Sequence, residues 1–154
     1  MPEIQGASIE YIAEYKATYA SKQLGCAVIT EDTCLCFDAL NGLPGPYIKW
    51  FLDKLGHVGL NKMISGFDDK SAKAVCTLAY CEGPESEPMV FQGVTDGTIV
   101  MPRGPLNFGW DPIFQPNHPS MLTFAEMDSS IKNSISHRYK ALDLMKSYFM
   151  ERDK

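Results

Sequence analysis

The stretch from Ser8 to Thr30 constrains the fold more than any other. Ile9, Ile12, Ala13, Ala17, Ala20 and Leu24 recur at helical spacing. Ser8 can cap the start of this helix and Gly25 stops it. CAVIT, residues 26–30, follows directly and is short, apolar and partly β-branched, which predicts a buried strand. EDTCLCFDAL predicts a loop and a second short strand, and NGLPGP, 41–46, is turn chemistry throughout. YIKWFLDKLG then predicts a helix closed by Gly56, and VGLNKMISGF a shorter one closed by Gly66.

Further along, Ala72–Tyr80 predicts a strand. Met89–Thr95 and Thr98–Met101 predict two strands joined at an Asp96–Gly97 turn. The stretch from Ser129 to Phe149 predicts one long helix. The order helix, strand, helices, strands, loop, helix implies a mixed α/β domain with a substantial sheet. With 154 residues the chain is expected to be one domain, spanning 1–154. The net charge of −5 argues against a nucleic-acid partner, which would need a basic footprint. No run of about 18 apolar residues is present, so no membrane-spanning helix is expected. The five Cys include no CxxC pair and the three His have no zinc-type spacing. Reduced, mostly buried thiols in a cytoplasmic protein are the expectation.

Three segments could carry chemistry. In the first, CAVIT runs straight into Glu31 and Asp32. Carboxylates at the C-terminal end of a strand, with Thr33 beside them, can hold Mg²⁺ and orient a water. The bland alternative is that Asp32 caps a turn. The rigid GLPGP segment that follows delivers Lys49 from a helix.

The second segment is FGWDPIFQP, 108–116, with three aromatic rings held by Gly109, Pro112 and Pro116. An aromatic ring beside a tight glycine turn makes a slot for a flat ligand, whose edge Asp111 could read. A hydrophobic plug on the sheet is the competing reading. The third is SIKNSISHRYKALDLMKSYF, 130–149. On a helical wheel Arg138 falls on the stripe of Ile131, Ile135, Leu142, Met145 and Phe149, where a guanidinium must be paired or face an anion. His137 falls nearly opposite that stripe, as an exposed residue would. Lys132 and Ser136 lie to one side.

Together, EDTCLCFDALNGLPGPYIKWFL, RGPLNFGWDPIFQP, TFAEM and KNSISHRYKAL resemble the eukaryotic inosine triphosphate pyrophosphatase family, in order and in spacing. The resemblance runs from about Glu3 to Phe149. It implies an elongated α/β fold, a mixed β-sheet flanked by helices with a cleft between two lobes. It implies Mg²⁺-dependent hydrolysis of ITP, dITP and XTP to the monophosphate and pyrophosphate, with Mn²⁺ as a substitute metal, in a homodimer. Glu3 matches a metal-binding Glu, and Asp32 a catalytic carboxylate that also binds metal. Lys16, Thr33 and Lys49 match nucleotide contacts. Phe108, Gly109, Trp110 and Asp111 match the loop that receives the purine. Lys132, His137 and Arg138 match residues around the base, where cationic donors would favour a 6-keto purine. Members of the family begin with a core strand and a TGN..K loop ahead of PEIQG, and neither is in this sequence. The expectation is therefore an N-terminally truncated domain whose first core strand is missing. The alternative is a non-catalytic short form that binds nucleotide weakly or pairs with a full-length subunit.

Overall fold

The computed structural model describes residues 1–154 apart from Ala7 and Phe108. Helix α1 spans Ile9–Leu24. Ser8 caps it, its side chain accepting from the Tyr11 N–H, and Gly25 ends it in the left-handed region at φ 69°. Its inward face is Ile12, Ala13, Ala17 and Ala20, and the small alanines let the helix lie close on the sheet. Strand β1 follows at Val28–Phe37, β2 at Pro44–Gly45 and helix α2 at Ile48–Met63. Long strands β3, Ser71–Cys81, and β4, Met89–Ile99, come next. Strand β5, Phe114–Pro116, precedes helices α3, Ser129–Ile135, and α4, His137–Arg152.

The strands form one sheet in the order β2-β1-β3-β4-β5. Every pairing among these strands is antiparallel, where the resemblance implies a mixed sheet. Helix α1 covers one face, packing Ala13 and Ala17 on Ala79 and Cys81. The opposite face carries two clusters. Leu35, Phe37 and Ala74 pack with Ile48 and Leu60 of α2 and with Trp110, Phe114 and Phe124. Cys76, Leu78 and Phe91 pack under Ala141 and Met145 of α4. Strand β2 pairs only with Leu35 and Cys36. The outer edge of β1 over Val28–Cys34 therefore has no strand partner among the described residues.

Several expectations need correction. CAVIT and EDTCLCF are not a strand and a loop but one ten-residue strand, paired residue by residue with β3 from Val28↔Cys81 to Phe37↔Ala72. Its polar middle looks like a loop because neither face is fully covered there. Glu31 and Asp32 thus sit in mid-strand, not at its end. Similarly, Asp96–Gly97 is no turn: β4 runs through it. A Cβ at Gly97 would come within 2.6 Å of the Phe114 ring and 2.5 Å of the Gln115 carbonyl oxygen, so the glycine admits β5 and its aromatic ring.

The long C-terminal helix is two helices. The backbone is extended at Ser136, at φ −67° and ψ 153°. Ser136 caps α4, accepting from the Tyr139 N–H at 3.1 Å, and Thr95 of β4 donates to the Ile135 carbonyl at 2.7 Å. The break resets the helical phase, so the wheel reading of a single helix fails. Ile131 and Leu142 are exposed, and Arg138 is not on a buried stripe. His137, expected on the outside, is buried.

Candidate active site

Consecutive residues on a strand point to opposite faces of its sheet. That rule separates Asp32 from its neighbours. Asp32 turns towards α1, where Lys16 Nζ meets its Oδ1 at 2.6 Å. Its Oδ2 is buried with no hydrogen-bond partner among the described residues. Asp32 borders a cavity of about 380 Å³ that Glu3, Lys16, Thr33, Tyr47 and Trp50 also line. Tyr47 anchors the segment bearing Glu3, its hydroxyl accepting the Gly6 N–H at 3.2 Å.

Glu31 turns the other way, to Arg138 of α4, with Nε 3.0 Å from Oε1. The adjacent carboxylates therefore do not share one ion, as the bare ED pair would suggest; Asp32 and Glu3 border the same cavity instead. A Mg²⁺ ion keeps several waters and takes one or two carboxylates together with substrate phosphates. The unpartnered Asp32 oxygen and the nearby Glu3 fit such an ion. No group of three or more His, Cys, Asp or Glu is placed to cage a metal among the described residues.

A second cavity, of about 280 Å³, lies on the α4 side and shares Thr33 with the first. It is lined by Gly109, Trp110, Asp111, Lys132, Asn133, Ser136, His137 and Arg138, among others. The break at Ser136 is what brings Lys132, His137 and Arg138 to one place. Lys132 pairs with Asp111 at 2.5 Å and sits 5.4 Å from the Phe124 ring centroid. Trp110 is buried, packed edge-on against Phe114 at 5.6 Å and beside the His137 ring at 5.4 Å. It forms a wall rooted in the core, as a hydrophobic plug would, and it also lines the second cavity. Phe108 lies outside the described residues.

Burial pushes His137 down to about 4, and Lys132, Lys140 and Arg138 act in the same direction. Its ring is thus neutral at physiological pH, with Nδ1 buried and unpartnered among the described residues. Lys132 and Arg138 are the cationic side chains that line this cavity. Lys49 is exposed, its ammonium 5.2 Å from the Trp50 ring centroid, and lines neither cavity. Asn133 and the Glu31 partner of Arg138 escape the sequence reading. No local pattern marks Asn133, and Glu31 is separated from Arg138 by most of the chain. Burial pushes the Cys34 and Cys76 thiols up to about 12, which disfavours their thiolate forms.

The Ham1 family model matches residues 1–148. The chain belongs to the Ham1 family. An inosine triphosphate pyrophosphatase of Aspergillus fumigatus is 61% identical over 148 residues, covering 96% of this chain and 77% of its own length. One from Tuber melanosporum is 59% identical over 148 residues, covering 96% of this chain and 78% of its own length. Among solved structures, a HAM1 protein from Coxiella burnetii superposes on this Ham1 family member with a TM-score of 0.86 at 33% identity. That match covers 97% of this chain and 81% of the other.

Proposed function

We propose that this chain hydrolyses inosine and xanthosine (deoxy)nucleoside triphosphates to the monophosphate and pyrophosphate. That reaction clears deaminated purines from the nucleotide pool. The observation that carries the reading is the pair of cavities meeting at Thr33. One has an ammonium and an unpartnered carboxylate oxygen, and the other an aromatic wall with polar edge groups. Relatives at 55–61% identity that bear the name inosine triphosphate pyrophosphatase support it.

In this reading the phosphates lie beside Lys16 and Thr33 and the base lies against Trp110, while Lys49 contacts the nucleotide from outside both cavities. Gly109 and Asp111 border the base edge, and Phe108 belongs to the same loop. A 6-keto purine offers an acceptor where adenine offers a donor. Lys132, Arg138 and the Nδ1–H tautomer of His137 are donors, so they favour the keto group. Asp32 Oδ2 orients the attacking water and takes its proton. The water oxygen bonds to the α-phosphorus as the α–β bridging bond breaks, and pyrophosphate leaves with the bond's electrons. Lys16 stabilises charge on the phosphate oxygens. A divalent ion, Mg²⁺ or Mn²⁺, held by Glu3 and Asp32 would add charge neutralisation of the triphosphate.

The chain is one catalytic domain over residues 1–154, works as a homodimer and is cytoplasmic; five free thiols fit a reducing compartment. Sedimentation tests the dimer. Pyrophosphate release from ITP in the presence of Mg²⁺, with ATP as the control, tests the activity. Selective release from ITP is expected. Equal release from both, or none, would overturn the assignment.

A further inference from the structure

We infer that His57 is a positioning residue for the base loop, a role that rests on the second cavity being the base site. Helix α2 is interrupted at Gly56, whose φ of 69° and ψ of 179° are not helical. The interruption redirects the turn that follows. His57 Nε2 then lies 2.7 Å from the Gly109 carbonyl oxygen. A carbonyl only accepts, so Nε2 carries the hydrogen. One helical turn on, Asn61 Nδ2 donates to the Val100 carbonyl at 3.0 Å and to the His57 carbonyl at 3.1 Å. The second half of α2 therefore grips the segment between β4 and the cavity at both ends. Gly109 has φ 40°, in the left-handed region, and is exposed. Such a peptide can rotate unless something holds its carbonyl. His57 holds it, and with it the orientation of Trp110 and Asp111. His57 lines neither of the two cavities, so it acts on the ligand only through the loop.

Three forms of the full chain test this: wild type, His57→Ala and His57→Gln, whose amide nitrogen can replace the Nε2 donor. The expected result is that His57→Ala raises KM for ITP about tenfold, the effect of one lost net hydrogen bond, with kcat within about twofold. His57→Gln should restore most of the KM. Amide exchange of Gly109–Asp111 should be faster in His57→Ala without ligand. Unchanged KM, or an equal fall in kcat with no rescue by Gln, would overturn the inference. If wild type does not hydrolyse ITP, the proposed function fails, and exchange alone decides the latch. Faster exchange in His57→Ala then supports it, and unchanged exchange rejects it.

Discussion

Lys16 binds one oxygen of Asp32 at 2.6 Å and leaves the other buried, without a hydrogen-bond partner among the described residues. A buried carboxylate oxygen left unpartnered costs stability unless a ligand uses it. In Asp32→Asn the amide keeps the shape and removes the charge. We expect hydrolysis of ITP to fall at least about 100-fold, as for loss of a group that handles a proton. Circular dichroism should show the native secondary structure. Turnover within a few-fold of wild type would remove Asp32 from the mechanism.

Arg138 and Glu31 allow binding to be separated from stability. Their side chains are 63% and 36% exposed. An ion pair this open contributes about 0–1 kcal/mol to folding. Arg138→Ala should therefore leave the urea midpoint almost unchanged while weakening discrimination of ITP from ATP. The ratio of kcat/KM for the two nucleotides measures this directly; an unaltered ratio would exclude Arg138 from base recognition.

Gly93 sets how closely α4 approaches the sheet. A Cβ there would lie 2.0 Å from the His137 carbonyl oxygen and 2.5 Å from the Ala141 nitrogen. Both neighbours are backbone, so no side chain can simply swing away. Gly93→Ala should destabilise the fold by about 2 kcal/mol or more and also lower activity, since His137 and Arg138 move with α4. A thermal melt and an ITP assay on the same sample check both. Neither changing would show that α4 can be displaced without consequence.

His137 gives stability a pH dependence. Its pKa falls from 6.5 to about 4 on folding, through burial first and neighbouring cations second. Above pH 6.5 both states hold it neutral, and its contribution is fully present. As pH drops from 6.5 towards 4, the unfolded chain takes up the proton and the folded chain does not, so stability is lost across that window. The full loss is about 3 kcal/mol. Urea unfolding at pH 7 and pH 4.5, on wild type and His137→Asn, isolates it: the variant should lose less stability between the two pH values. Equal losses would mean the buried ring is solvated.

Features with local punctuation were legible in the sequence. Ser8 and Gly25 bound α1 where they stand, and Gly56 interrupts α2 as read. Residues of the family motifs line both cavities. What stayed hidden depends on distant partners. The break at Ser136 is secured by Thr95 on β4, and nothing within the helix itself signals that bond. Gly97 reads as a turn because DG usually is one; only the ring of Phe114 explains it. The middle of β1 reads as a loop because it is polar: Asp32 and Thr33 line cavities and Glu31 pairs with Arg138 instead of packing in the core.

Glu31, Asp32 and Thr33 are three adjacent links of one strand, yet they serve both faces of the sheet. The alternation leaves no slack. A single residue inserted ahead of Glu31 would send Asp32 to the α4 side and Arg138's partner to the α1 side, exchanging acid and anchor at one stroke. Substitutions in this strand can be explored one at a time. A change of length cannot, because no intermediate keeps either cavity intact. The history open to this segment is one of replacement at fixed length, with insertions and deletions confined to the turns at its ends.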